Sequence, residues 1–313
     1  MAESTVSVSD RIEICYQSFG NDADPTILMI MGLSAPMGWW SSELCGLVAS
    51  RGYRVIRFDN RDTGASTKLR DHRVGRSDIV RTFLGERRPA PYSMSDLAGD
   101  AFGLLDGLGV ERAHVVGASM GGMIAQTMAI EHPERVLSLT SMMSTTGRRT
   151  VGWQHPKLLP TLLARATPSR GAYVQRSLRM QELIGSATYP SDPQEVRKRA
   201  EETYDRGWSA SGVLRQMQAV LSQPDRTNDL HRLQMPVCVI HGLEDPMVHP
   251  SGGRATAAAI PGSELILLRG LGHDLPRQLY PTFVDAIDRT ARRARQPASQ
   301  PPNACSSDSA SSR

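Results

Sequence analysis

A serine flanked by glycines is the residue of this sequence best placed to do chemistry. The segment Gly117–Gly121 reads Gly-Ala-Ser-Met-Gly, follows the short apolar run Ala113–Val116, and precedes Gly122–Ile130, which has the composition of a helix. A strand, a sharp turn and a helix in that order lift the hydroxyl of a serine at the apex above a sheet, beside the free amides of a helix N-terminus. The pattern therefore predicts that Ser119 is a nucleophile.

The glycines on either side of this serine have a physical reason. A sharp turn holds the serine in a strained backbone conformation, and side chains at Gly117 and Gly121 would collide with it. Yet the chain contains 27 glycines, and such a composition also produces the five-residue pattern by chance. The alternative is an ordinary strand-to-helix turn with an idle serine, so the rest of the chain must decide.

A nucleophilic serine needs a base, and the base needs an acid that orients it. In this kind of turn the expected chain order is serine, then acid, then histidine. Asp245 follows the apolar run Val237–Ile240, and His273 stands in a glycine-rich loop after Glu264–Leu268. Both lie where a strand ends, so we predict that Asp245 is the acid and His273 the base.

Other acids and histidines have weaker positions. Glu244 and Asp274 adjoin the two chosen residues and remain alternatives for the acid. His241 ends a strand and is interpreted as a structural or pocket residue, and His132 as a cation at a helix end. The remaining histidines have no matching partner and are interpreted as surface or packing residues: His72, His114, His155, His231 and His249.

The reaction also needs donors for the oxyanion. One is the backbone amide of the residue after the nucleophile, which is Met120, and the other comes from the loop after an earlier strand. The apolar run Thr26–Met31 ends in Gly32, which permits close backbone approach. The amide of Leu33 is therefore the predicted second donor.

Apolar runs that alternate with helical patterns indicate the fold. Strands that read as continuous apolar runs are typical of a mostly parallel sheet covered by helices on both faces, with ligands above the carboxyl ends of the strands. The predicted strands are Ile12–Ser18, Thr26–Met31, Tyr53–Phe58, Ala113–Val116, Val136–Thr140, Pro236–Ile240 and Glu264–Leu268. The predicted helices are Trp39–Ser50, Ser93–Leu108, Gly122–Ile130 and Leu279–Arg293.

The alternation stops between residues 145 and 229. Four helical patterns follow one another there without a convincing strand: Pro156–Ala166, Arg170–Ile184, Asp192–Arg206 and Ser211–Leu221. We predict a helical cap or lid over residues 145–229, inserted into a core of residues 1–144 and 230–295. The alternative is a set of additional scaffold helices. Residues 296–313 are rich in proline, serine and alanine and are predicted to be a disordered tail.

Composition excludes several classes of protein. At 313 residues, 40% hydrophobic and 22% charged, the chain is ordinary for a globular protein. A net charge of +4 without runs of like charge, and 5% aromatic residues, give no sign of nucleic-acid binding. The four scattered cysteines indicate unpaired thiols in a reducing compartment. Neither a signal region nor an apolar run of membrane-spanning length stands out, which predicts a cytoplasmic location.

These motifs together resemble the α/β-hydrolases over about residues 10–295. The resemblance rests on Gly117–Gly121, Asp245, His273, the loop Met31–Leu33 and the segment Asp59–Ser66. The last segment is similar to the Asp-x-Arg-Gly-x-Gly-x-Ser loop of that family, which is structural and shapes the wall of the site.

Three segments resemble one group within the α/β-hydrolases more specifically. Ile30–Leu33, Arg61–Gly64 and Ser119–Gly122 are similar to the small esterases that include aclacinomycin methylesterase. The chain has Met31-Gly32 where many α/β-hydrolases have His-Gly. Because the donor in that loop is a backbone amide, the substitution need not abolish it, although it could change the pocket.

The predicted function is hydrolysis of carboxylic esters by a Ser-His-Asp triad through an acyl-enzyme, without metal or other cofactor. The predicted partner is a small-molecule ester with an apolar acyl or alcohol part. The same triad also serves thioesterases, lipases or phospholipases, lactonases and carbon–carbon bond hydrolases, which remain alternatives. A small-molecule receptor that kept the fold is another alternative, and the oligomeric state stays open.

Overall fold

An eight-stranded sheet runs through the protein. The computed structural model describes residues 2–86, 88–158, 160–161 and 169–295. The strands are β1 Ser4–Ser9, β2 Ile12–Phe19, β3 Thr26–Ile30, β4 Arg54–Phe58, β5 Ala113–Ala118, β6 Val136–Met142, β7 Val237–Gly242 and β8 Glu264–Leu268. Their spatial order is β1-β2-β4-β3-β5-β6-β7-β8. The strands β3 to β8 pair in parallel, and only β1 and β2 run antiparallel to their neighbours.

Ten α-helices surround this sheet in the described residues. They are α1 Ser42–Ala49, α2 Arg76–Phe83, α3 Met94–Gly107, α4 Met120–Glu131, α5 Arg170–Ile184, α6 Pro193–Asp205, α7 Ala210–Ser222, α8 Thr227–Leu230, α9 Ser251–Ala259 and α10 Tyr280–Arg293. Short 3₁₀ turns cover Met37–Trp39, Pro156–Leu158 and Arg277–Leu279.

The central strands are buried on both faces, which explains their continuous apolar sequence. In β3, Leu28 and Ile30 belong to the core that α3 and α4 cover. Ile27 and Met29 belong to the core on the opposite face, which α1 and α10 cover. Successive side chains of a strand point to opposite faces, so a strand between two helical layers buries both sets of side chains and is mostly apolar. The predicted α/β-hydrolase fold is confirmed.

The structure adds elements that the patterns did not predict. Strand β1 lies in the polar N-terminal segment and pairs antiparallel with β2 at the edge of the sheet. Only its alternate residues, Val6 and Val8, pack against the core. Helices α2, α8 and α9 were not predicted either. Each of these elements is short, polar or glycine-rich, so its apolar periodicity is weak.

The segment between β6 and β7 contains a succession of helices. Three of the four predicted helical patterns correspond to α5, α6 and α7. In the fourth, Pro156–Leu158 forms a 3₁₀ turn, and most of the remainder lies outside the described residues, as does the predicted tail 296–313. That this segment acts as a lid stays a prediction. Among the helices of the described ranges, none has the length and apolar character that crossing a membrane requires.

Candidate active site

Ser119 occupies a strained turn between β5 and α4. Its backbone angles are φ +56° and ψ −120°, a region that side-chain-bearing residues rarely adopt. A Cβ added to Gly117 would lie 2.1 Å from the carbonyl oxygen of Gly121, and one added to Gly121 would lie 2.0 Å from that of Ile30. Both positions therefore exclude a side chain, although the collision is with backbone carbonyls and not, as the sequence predicts, with the serine.

The three side chains of the predicted triad meet in one chain of hydrogen bonds. The Nε2 atom of His273 is 3.0 Å from Ser119 Oγ, and its Nδ1 atom is 2.7 Å from Asp245 Oδ2. An ionised carboxylate can only accept, so Nδ1 carries the proton and Nε2 is free to accept from the serine hydroxyl. The backbone amide of His273 donates to the carbonyl of Ile184 at 2.7 Å, which fixes its loop against the end of α5.

Asp245 is buried and strongly held. Its Oδ1 atom accepts from the backbone amides of Met247 and Val248 at 2.8 and 2.9 Å. Burial by itself would raise the pKa of this carboxyl, but the electrostatic interaction with the His273 ring and the hydrogen bonds with His241 and His273 outweigh burial, and the net pKa lies below its usual range. Asp245 is therefore ionised at neutral pH and can stabilise a positive imidazolium.

The two alternative acids have other partners. Glu244 accepts a hydrogen bond from the backbone amide of Gly270. Asp274 accepts from the side-chain amide of Gln181 at 3.0 Å and from the backbone amide of Ser186 at 3.2 Å. Neither is the carboxylate that contacts the ring of His273.

A second histidine contacts the same acid. His241 is fully buried, its Nε2 atom lies 2.8 Å from the carbonyl oxygen of Val248, and the same nitrogen is 3.4 Å from Asp245 Oδ2. Its Nδ1 atom has no hydrogen-bond partner among the described residues. The sequence interpretation made His241 a structural or pocket residue, and its position four residues before Asp245 was the only available signal for this contact.

The loop after β3 lies directly against the serine. A Cβ added to Gly32 would be 3.1 Å from the Cβ atom of Ser119, so a side chain here would crowd the nucleophile. Met120 is the first residue of α4, and its amide has no acceptor within the helix. In the hydrogen bonds that the structure describes, the amides of Leu33 and Met120 donate to no protein atom. These two amides thus remain available as the predicted oxyanion donors.

The segment Asp59–Ser66 supports this loop from behind. The side-chain amide of Asn60 donates to the carbonyl of Met31 at 3.0 Å, and Asp59 Oδ1 accepts from the amide of Met37 at 2.7 Å. Both side chains are buried. The loop is thereby held at its two ends, which gives a physical basis for the structural role that the resemblance implies.

The helical segment between β6 and β7 is attached to the same wall. Arg215 of α7 and Asp62 form a fully buried ion pair with N–O distances of 2.6 and 2.7 Å. Tyr92 donates its hydroxyl to Asp62 at 2.8 Å. No pattern in the sequence relates these residues, because more than a hundred positions separate Asp62 from Arg215.

The described cysteines are free and buried: Cys15, Cys45 and Cys238. Burial raises the pKa of these thiols, to about 11 for Cys15 and about 12 for Cys45 and Cys238. They are therefore protonated and poorly reactive at neutral pH, as expected for unpaired structural thiols. Cys305 lies outside the described residues.

Comparison with known proteins identifies a family and two relatives that match most of the chain. The family described as alpha/beta hydrolase fold matches residues 25–276. The rhodomycin D methylesterase DnrP of Streptomyces peucetius is 28% identical over 305 residues, which cover 91% of this chain and 97% of that protein. The rhodomycin D methylesterase DauP of Streptomyces sp. strain C5 is 29% identical over 308 residues, with the same two coverages.

A solved structure shows the same architecture. The enol-lactonase of Burkholderia xenovorans LB400 superposes with a TM-score of 0.72 at 20% sequence identity, covering 91% of this chain and 99% of that one. At this level of identity the likeness concerns the fold alone.

Proposed function

The chain belongs to the α/β hydrolase fold family and is an ester-hydrolysing enzyme, and from this premise we propose that Ser119, His273 and Asp245 are its catalytic triad. The observation that carries the proposal is the continuous hydrogen-bond chain, 3.0 Å from serine to imidazole and 2.7 Å from imidazole to carboxylate. Both distances are those of hydrogen bonds, and the first is within the reach that proton transfer from the serine to the histidine requires.

The first half of the reaction forms an acyl-enzyme. Ser119 Oγ attacks the ester carbonyl carbon while His273 Nε2 accepts the hydroxyl proton. Asp245 stays ionised and stabilises the imidazolium. The amides of Leu33 and Met120 donate to the negative oxygen of the tetrahedral intermediate, a contribution of about 3–4 kcal/mol for each well-placed donor. The intermediate then expels the alcohol, which takes its proton from His273.

The second half returns the enzyme to its starting state. His273 accepts a proton from a water molecule, whose oxygen attacks the acyl carbon on Ser119. A second tetrahedral intermediate uses the same two amides. Its collapse releases the carboxylic acid and restores the serine hydroxyl with the proton from His273. His273 thus accepts and returns the proton in both halves of the reaction, and the two amides stabilise both tetrahedral intermediates.

The substrate that we propose is a small-molecule carboxylic ester with an apolar acyl or alcohol part. The two relatives from Streptomyces are named as methylesterases, so a methyl ester of a larger apolar acid is the first substrate to test. A matched series should contain the methyl ester, the thioester and the lactone of similar acids, because these three have carbonyl centres that the same triad can attack.

The test of the triad is the Ser119→Ala variant. Because the nucleophile is lost, we expect kcat for ester hydrolysis to fall by about 10⁴- to 10⁶-fold, with an unchanged circular-dichroism spectrum. The Ser95→Ala variant, which removes an exposed serine hydroxyl, is the control and should keep wild-type kcat. A Ser119→Ala enzyme with near wild-type turnover would refute the proposal.

A further inference from the structure

The loop that carries one proposed oxyanion donor has an unusual backbone. Ser34, the residue after Leu33, has φ +63° although it is not glycine. A residue with a side chain holds this conformation only when its surroundings impose it. The backbone amide of Leu33 precedes this strained residue directly, so a group that fixes Ser34 restrains the short loop that carries that amide.

One buried side chain contacts this position. Gln216 is fully buried, and its Oε1 atom accepts a hydrogen bond from the backbone amide of Ser34 at 2.7 Å. Its Nε2 atom donates to the carbonyl of Arg61 at 2.9 Å and to Thr63 Oγ1 at 2.8 Å. The partners determine which end of the side-chain amide is oxygen, because a backbone N–H can only donate and a carbonyl can only accept.

Gln216 comes from a distant part of the chain. It lies on α7, next to Arg215, whose buried ion pair with Asp62 anchors that helix to the wall of the site. The amide of Gln216 therefore ties three segments together: the loop after β3, the segment after β4 and the helix α7. Its position is rigid, since three of its four possible hydrogen bonds have partners.

We propose that Gln216 is a positioning residue for the oxyanion site: it holds Ser34 and, through Ser34, aims the amide of Leu33 at the oxygen that becomes negative. The inference rests on the proposed function, because it needs an oxyanion to stabilise. Donors must already point at that oxygen before the reaction starts, and a displacement of about 1 Å can cost 10²-fold in rate. Gln216 thus acts on the chemical step without contacting the substrate.

The test compares two glutamines of the same helix. Gln218 is also buried, but its Nε2 atom donates to Thr82 Oγ1 at 2.8 Å, on the side of α2. Gln216→Met and Gln218→Met each replace a buried amide with an apolar chain of similar length. We expect Gln216→Met to lower kcat by about 10- to 100-fold with KM changed less than threefold, and Gln218→Met to keep wild-type kcat.

A second measurement separates loss of the oxyanion donor from a general structural effect. A thionoester has sulfur in place of the carbonyl oxygen and gains less from N–H donors, because sulfur is a weak acceptor. The ratio of kcat for the oxygen ester to kcat for its thionoester should therefore fall in Gln216→Met and stay unchanged in Gln218→Met. If Gln216→Met does not fold, Gln216→Asn, which retracts the amide from Ser34 by one methylene, should show the same fall.

The outcomes distinguish this inference from the function on which it rests. If the wild-type enzyme hydrolyses no ester or keeps its turnover without Ser119, the proposed function fails and this inference fails with it. If the wild-type enzyme is active but Gln216→Met and Gln218→Met have the same kcat and the same ratio of oxygen ester to thionoester, only the role of Gln216 is overturned.

Discussion

The charge state of Asp245 follows from the groups that surround its carboxyl. A carboxyl in a buried turn would normally resist ionisation. Two histidine rings lie beside it and lower its pKa, and two backbone amides donate to its other oxygen. The ionised form is the one that a base such as His273 needs beside it, so the local structure and the proposed chemistry require the same charge state.

Replacing Asp245 should lower kcat far more than replacing Glu244, its neighbour in the sequence. In Asp245→Asn the side-chain amide can donate to the ring of His273 and so favour the wrong tautomer, and we expect kcat to fall by about 10³- to 10⁴-fold. The measurement is steady-state ester hydrolysis at saturating substrate. Glu244→Gln is the matched control, since its carboxyl contacts the amide of Gly270.

The two alternative acids, Glu244 and Asp274, should tolerate the same exchange of carboxylate for amide. We expect Glu244→Gln and Asp274→Asn each to keep kcat within about tenfold of the wild type, an allowance for the loop contacts that they lose. A loss at either position as large as that in Asp245→Asn would show that the hydrogen bond between Asp245 and His273 does not define the acid.

The positions of the three candidate residues in the sequence account for their proximity in the structure. Ser119, Asp245 and His273 each follow a strand of the parallel part of the sheet, and the carboxyl ends of parallel strands meet at one edge of the sheet. Their convergence in space could therefore be expected, although their catalytic roles stay a proposal. The contacts of His241 and Gln216 could not be expected, because each depends on a side-chain orientation that no spacing in the sequence encodes.

Among the secondary-structure elements, the patterns predicted long or strongly apolar segments better than short or glycine-rich ones. Strand β8 has the predicted bounds and helix α5 matches its predicted range. Helix α9 was missed because two glycines stand in its first turn and lower its helix propensity. The structure explains them: a Cβ at Gly252 would meet the carbonyl of Ser144, and one at Gly253 would meet His241. Tertiary contact overrides propensity there.

The turn between β5 and α4 gives a prediction about an element. Gly121→Ala would place a methyl group 2.0 Å from the carbonyl oxygen of Ile30, so we expect the free energy of unfolding to fall by about 3 kcal/mol or more. Gly99 lies exposed in the middle of α3 with no atom within 4 Å of an added Cβ. Gly99→Ala should therefore raise that free energy by about 0.5–1 kcal/mol.

Urea unfolding followed by circular dichroism measures both variants. The comparison controls for the substitution itself, since both exchange glycine for alanine within helices. A Gly121→Ala protein as stable as the wild type would contradict the packing that holds Ser119 at the apex of its turn.

In the whole molecule, the helices between β6 and β7 are joined to the core by ion pairs with buried carboxylates. Arg215 pairs with Asp62, and Arg206, which follows α6, donates to the carboxylate of Asp59 at 2.9 Å. Both carboxylates belong to the loop that supports the oxyanion segment. The helices of the predicted lid thus contact the site wall through fixed polar interactions, and Gln216 lies within that contact.

The sequence predicted the fold class and the helical insertion but not this attachment. Apolar periodicity identifies which face of a helix is buried, whereas it carries no information about the partner. The pairing of α7 with residues 61–63 joins positions about 150 apart and depends on how the complete chain packs. The substrate specificity depends on the same packing, which is why the sequence alone predicts a reaction more readily than a substrate.

The most direct test of Ser119 as the activated nucleophile is covalent labelling with a fluorophosphonate, followed by peptide mass spectrometry. The phosphorus centre resembles the tetrahedral intermediate, so only a serine activated by its base reacts rapidly. We expect one phosphonyl group per chain, located on Ser119, with no labelling of the Ser119→Ala protein and much slower labelling of Asp245→Asn. Active wild-type enzyme that stays unlabelled, or that is labelled at another residue, would contradict the assignment of Ser119 as the nucleophile of the triad.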